Sequence, residues 1–189
     1  MRIKLNLLAV LLTVSMYSQS IYKGLTYGMT KSEAKKEFLA NKDQYTNIDT
    51  GNGFLYRTYK QNFVFTDGKL TCVPLTPKGA ALGLGYDETV LYLEHTRKFF
   101  ENLNYQTFID AEYWNAPLNY EKSPSKWGLI LYNEDKTKII QMYPSSYSNS
   151  VTGGKKYLVI INVWHYNTWM NFYNKAQSIN KEKAKNTGF

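Results

Sequence analysis

The sequence predicts an α+β fold in which helices pack on an antiparallel meander sheet, with scope for two such helix-plus-sheet units in tandem. Three observations predict it. A capped amphipathic helix is followed by three short strands, and the same order returns in the second half of the chain. Asp67-Gly68, between two apolar runs, is a two-residue hairpin signal, because both central positions of such a turn require φ > 0. Strands do not alternate with helices as they do in a parallel βαβ sheet.

The first unit is expected over residues 21–76. Thr30 is a good helix N-cap and Glu33, three residues on, completes a capping box. Ala34 and Phe38, with Leu39 beside them, then line one face of a helix from Lys31 to Ala40. Asn41 to Asn52 is polar and runs into a turn cluster ending at Gly53. Strands are expected at Phe54–Tyr59, Asn62–Thr66 and Lys69–Val73. Pro74 to Gly85, with two prolines and three glycines, breaks the pattern, and residues 77–85 read as a linker or a loop.

The second unit is expected over residues 86–178. Asp87 is the expected N-cap of a helix reaching Asn104, with Val90, Leu93, Arg97 and Phe100 on one side. Gln106–Trp114 reads as a strand. Trp127–Tyr132 and Thr137–Tyr143 form a hairpin around Asn133-Glu134-Asp135-Lys136. Tyr143 to Gly154 is rich in Ser, Gly and Asn and reads as a long connection. Lys156–Tyr166 is apolar on both sides, the pattern of a strand central in its sheet. A terminal helix from Thr168 to Ser178 buries Trp169 and Phe172. Residues 179–189 read as a flexible basic tail, in which Lys181, Lys183 and Lys185 face only Glu182.

Compartment is read from the first twenty residues. Arg2 and Lys4 precede the apolar run Leu5 to Met16, and Ser18 and Ser20 supply small residues beyond it. That is the order of a secretory signal peptide over residues 1–20, with the mature chain beginning at Ile21. The alternative is an uncleaved N-terminal anchor. No later apolar run approaches a membrane span. Cys72 is the only cysteine, so no intramolecular disulfide forms and no lipid-bearing cysteine stands at the mature start. The expected location is the periplasm or the extracellular space, without lipoprotein anchoring.

Loss of Arg2 and Lys4 with the leader lowers the formal charge from +8 to +6. A mildly basic exported surface favours anionic envelope or polysaccharide partners. No arginine-rich groove accompanies it, which argues against nucleic acid. The 17 tyrosines and 4 tryptophans suit a sheet with one half-exposed aromatic face.

Gly28-Met29-Thr30 and the helix after it resemble a recurring opening in small exported bacterial proteins. The pattern is similar to the SmpA/OmlA (BamE) type of envelope protein and to the β-lactamase-inhibitor-protein architecture. That resemblance implies helix-plus-sheet units, which can occur in tandem. It transfers no functional residue, and this chain lacks the lipid-bearing cysteine of the SmpA type.

The search for chemistry yields little. His95 and His165 are the only histidines, and His95 has no ligand-type residue three or four positions on. No nucleophile elbow, zinc-protease motif or phosphate loop occurs, and no cofactor is implied. The reading that results is a non-catalytic binding protein with an envelope or extracellular protein partner. Its candidate binding residues are the aromatics Tyr113, Trp114, Tyr143, Tyr147, Tyr166 and Trp169. The alternative is a carbohydrate-binding protein or glycan-directed hydrolase. Asp110 and Glu112, two apart in a strand, would face one way beside Trp114, a platform for a sugar ring.

Overall fold

A computed structural model of the chain describes residues 19–50, 55–78, 83–110, 128–148 and 154–187. The described chain opens with a small hairpin, β1 (Ser20–Tyr22) against β2 (Leu25–Thr26). Ser20, expected as the last leader residue, is the first residue of β1. Ile21 and Leu25 point inward and are buried, which fastens the hairpin to the main core.

The first helix, α1 (Lys31–Ala40), begins as its sequence requires. The Glu33 amide donates to the Thr30 hydroxyl at 3.3 Å, and the Thr30 amide donates to the Glu33 carboxylate at 2.8 Å. The Thr30 amide, and the Thr30 hydroxyl that also donates to the carboxylate at 2.8 Å, hold the Glu33 carboxyl below the usual carboxylate range. Ala34 and Phe38 are buried, whereas Leu39 is 52 % exposed. The polar stretch after α1 contains a helical turn, α2 (Lys42–Thr46), because Tyr45 reaches back into the core. Its hydroxyl donates to Glu37 at 2.9 Å.

Four strands follow among the described residues of the first half, β3 (Ile48–Asp49), β4 (Leu55–Arg57), β5 (Val64–Thr66) and β6 (Lys69–Pro77), with a 3-10 turn at Lys60–Asn62. The Asp67-Gly68 turn has φ of 51° and 74°, as the hairpin signal demands. Strand β6 runs four residues beyond its expected end and carries Pro74 inside it. On one edge of β6, β5 pairs as far as Cys72 and β4 pairs only from Thr76. A residue without an N–H fits that bare stretch.

Helix α3 (Tyr86–Glu101) is capped at Gly85, not Asp87: the Gly85 amide donates to the Glu88 carboxylate at 2.8 Å. Its buried face is Thr89, Tyr92, Leu93, Thr96 and Phe100, while Val90 stays 36 % exposed. The face is rotated from the expected one because threonine can be buried in a helix when its hydroxyl bonds the preceding turn. Thr96 donates to the Tyr92 carbonyl at 2.8 Å and Thr89 to the Gly85 carbonyl at 2.6 Å.

The rest of the sheet is β7 (Gln106–Ile109), β8 (Leu129–Tyr132), β9 (Lys138–Ser148) and β10 (Lys155–His165). Strand β9 pairs residue for residue with β10 from Lys138–His165 to Ser148–Lys155. The Ser- and Tyr-rich segment after Tyr143, expected as a connection, is therefore strand as far as Ser148. A partner backbone satisfies its amides and overrides the turn-like composition. The final helix, α4, spans Tyr166–Asn186. The expected basic tail is thus helical through Asn186, with a run free of Gly and Pro to carry it.

The strand order β3-β4-β6-β10-β9-β8-β7, with β5 also on β6, makes one antiparallel sheet of eight strands. Strands β6 and β10 are direct neighbours, with Val163 opposite Val73 and Ile161 opposite Leu75. The two helix-plus-sheet passages therefore feed a single sheet. One face carries Val73, Leu75, Ile140, Met142, Ile161 and Val163 into a core shared with Phe38 of α1 and Leu93 of α3. On the other face, α4 covers Ile130 and Ile139 with Trp169. The architecture is α+β, and among the described residues no helix is long and apolar enough to cross a membrane.

Candidate functional site

The aromatic residues singled out in the sequence separate into three groups. Tyr113 and Trp114, with Glu112 of the alternative reading, lie outside the described residues. Tyr147 has its backbone in β9 opposite Lys156, and its side chain is also outside the described set. The remaining three are placed. Tyr143 is half-buried in β9, and burial pushes its phenol pKa up while a bond to Asn162 acts the other way. Tyr166 is half-buried at the start of α4, edge-on to Tyr132 at 6.4 Å.

Trp169 is 1 % exposed. Its ring stacks on Tyr173 at 5.4 Å with the planes 10° apart, and Phe108 meets it edge-on at 5.9 Å. It packs between Ile130 and Ile139 and seats α4 on the sheet. This side chain presents no face to a ligand in this fold. Trp164, on the same sheet face, is likewise engaged: its indole N–H donates to Gln141 at 2.9 Å.

Asp110 of the alternative site is exposed and accepts from the Arg97 guanidinium at 3.0 Å. Arg97 also pairs with Glu101 at 2.9 Å and approaches Glu94 at 4.0 Å. Asp110 thereby ties the end of β7 to α3. His95 lines an open depression of about 320 Å³ on α3 with Lys98, Phe99 and Asn102. Among the described residues, no three of His, Cys, Asp and Glu converge as metal ligands would. Cys72 is buried, and desolvation raises its thiol pKa, so the thiolate is disfavoured.

His165 is held by three neighbours, Tyr27, Gln19 and Thr168. It is 5 % exposed at the end of β10 and lies under the Tyr27 ring. Its Nε2 is 2.8 Å from Gln19 Oε1 and its Nδ1 is 3.0 Å from the Thr168 hydroxyl. An amide oxygen only accepts, so Nε2 carries the proton and Nδ1 accepts from Thr168. Burial pushes its pKa below the ordinary histidine value, in keeping with a neutral ring.

A different recess has the make-up of a binding site. Lys31 and Lys35 on α1, Lys60 and Gln61 on the 3-10 turn, and Phe63 and Phe65 line a hollow of about 310 Å³. Phe63 is 7 % exposed and forms the floor, edge-on to Phe38 at 5.9 Å. Phe65 is half-buried, and the three lysines are exposed around it. Among the described residues, no carboxylate forms an ion pair with any of the three lysines. Glu33 and Glu37, the acidic residues nearest to Lys31 and Lys35 in sequence, have their carboxylates turned to Thr30 and to Asn41 and Tyr45. Sequence reasoning missed this site. Lys31 and Lys35, four apart on one helix, share a face and were legible as a pair. Their meeting with Lys60 and Phe65 depends on how α1 packs against the 3-10 turn and β6.

No family model, curated protein or solved structure matches the chain.

Proposed function

We propose that the protein is an exported, non-catalytic binding protein of the bacterial envelope or extracellular space, and that it binds through the lysine-ringed recess. The partner is an acidic segment of another exported protein, its carboxylates set against Lys31, Lys35 and Lys60 and an apolar side chain against Phe65. The observation that carries this reading is three exposed lysines, without carboxylate partners among the described residues, around a half-buried phenylalanine. Buried apolar area would supply affinity, and the charges would steer encounter and select the partner. The leader-like start of the chain and its basic balance support the location, as does the resemblance of Gly28-Met29-Thr30 to the opening of small envelope proteins. Of the aromatic sheet surface, Trp169 is committed to packing and Tyr143 lies half-buried, so the recess carries the reading instead.

The test places a photo-cross-linking side chain at Gln61, on the rim, and a control at Ser178 on α4. Cells expressing either form are irradiated. A protease-sensitive adduct from Gln61 alone, lost on Lys31→Glu/Lys35→Glu/Lys60→Glu and in high salt, is expected. Equal adducts from both positions, or adducts indifferent to the charge reversal, would overturn the recess as the site. An adduct resistant to protease and sensitive to glycosidase would replace the protein partner with an anionic glycan.

A further inference from the structure

We propose that the leader is removed between Ser18 and Gln19, two residues before the position the sequence favours, and that the new N-terminal Gln19 closes to pyroglutamate against His165. The inference rests on the exported reading above and sharpens it to a processing and modification site.

Four contacts argue against a cut after Ser20. The Gln19 carbonyl accepts from the Tyr27 amide at 2.8 Å. The Gln19 side-chain oxygen accepts from His165 at 2.8 Å. Ser20 pairs with Thr26 across the β1–β2 hairpin. Its hydroxyl donates to the Lys23 carbonyl at 2.8 Å, bracing a turn in which Lys23 holds φ at 52°. Removing both residues would strip the first pair from β1 and leave the N–H of a histidine 5 % exposed without its acceptor. The small residues near the end of the apolar run are Ser15, Ser18 and Ser20. Ser20 belongs to the hairpin and Ser15 lies inside the apolar run. Ser18 is the small residue that lies beyond that run and immediately before Gln19, whose contacts the fold uses.

A chain beginning at Gln19 has a free α-amine next to its own carboxamide. The neutral amine's lone pair attacks Cδ, the new C–N bond closes a five-membered lactam as the Cδ–Nε2 bond breaks, and the carboxamide nitrogen takes the proton that the amine loses and leaves as ammonia. No oxidant or co-reactant is needed. The His165 N–H already donates to Oε1, the oxygen of the carbonyl under attack, and would stabilise the charge that develops there. That oxygen survives in the lactam and can keep the same bond. Gln19 is itself exposed, so its amine is reachable.

The test is mass spectrometry of the N-terminal peptide from full-length protein expressed with its own leader and recovered outside the cytoplasm. A mature chain starting at Gln19 and lighter by one ammonia is expected. Ser18→Val should stall processing, whereas Ser20→Val, which keeps a strand-forming residue in β1, should leave the cut unchanged. A start at Ile21 or at Met16 overturns the proposal and leaves export intact. A Gln19 start with its ammonia retained overturns the cyclisation. An unprocessed chain confined to the cytoplasm overturns the exported reading itself.

Discussion

The Tyr27 ring stacks on the His165 imidazole at 3.7 Å between centroids, with the planes 13° apart. The contact ties the residue after β2 to the last residue of β10, two segments far apart in the chain. With Gln19 and Thr168 on its two nitrogens, the imidazole joins the N-terminal hairpin, the central strand and the start of α4.

That arrangement makes folding sensitive to pH. His165 is held below its ordinary value of 6.5 by burial. Below that value the unfolded chain takes up a proton that the folded chain refuses, so stability rises with pH across the window. The stabilisation is fully present above pH 6.5 and is lost as pH falls from 6.5 towards the lowered folded value. Urea midpoints measured on either side of the window should show the drop. In His165→Gln, which retains a hydrogen-bonding side chain, that step should vanish. An unchanged pH profile in the variant would rule out His165 as its source.

Trp169 should carry far more stability than its neighbour Phe172. Trp169→Ala removes a ring that is 1 % exposed between Ile130 and Ile139 and should cost about 3–5 kcal/mol. Phe172 is 41 % exposed and meets Trp164 edge-on at 6.0 Å, so Phe172→Ala should cost about 1 kcal/mol. Denaturant titrations of the two variants check this, and equal losses would mean that Trp169 is not the anchor of α4.

Two glycines with left-handed backbone separate conformational cost from collision. Gly68, at φ +74°, has open space where a Cβ would stand, so Gly68→Ala should cost about 1 kcal/mol. Gly128, at φ +70°, would place a Cβ 2.2 Å from the Met142 carbonyl oxygen. Gly128→Ala must therefore displace the entry to β8, and a loss of more than about 2 kcal/mol is expected from thermal melts.

Charge reversal at the recess should abolish binding without unfolding. Reversing Lys31, Lys35 and Lys60 removes three attractions and adds three repulsions at roughly 0.5 kcal/mol each, a loss on the order of 100-fold in affinity. Lys31 sits in the first turn of α1, where an acidic residue is favoured by about 0.3–1 kcal/mol. The melting temperature of the variant should therefore stay close to that of the parent while the Gln61 cross-link disappears. A large fall in melting temperature would assign the lysines to stability instead.

Local features were legible wherever neighbours in sequence are also neighbours in space. The Thr30–Glu33 capping box, the Asp67-Gly68 hairpin, the Asn133–Lys136 turn and the two-sided apolar pattern of β10 all have that character. The errors arose where a distant partner changed the local outcome. Residues 144–148 extend because β10 lies beside them. Trp169 could be read as surface or core until α4 was seen to cross Ile130 and Ile139.

The sequence by itself determined the α+β class, the leader-like start, the mild positive charge and the positions of the main caps and turns. These depend on composition and on spacings of a few residues, which act through short-range sterics and hydrogen bonds. Tertiary structure alone decided that β6 and β10 join both passages into one sheet, and that Gln19 belongs to the fold. It also brought Lys60 beside Lys31 and Lys35 around Phe65. Each of those outcomes rests on burying apolar faces from distant segments against one another, and that pairing is chosen by the whole core, not by any stretch of it.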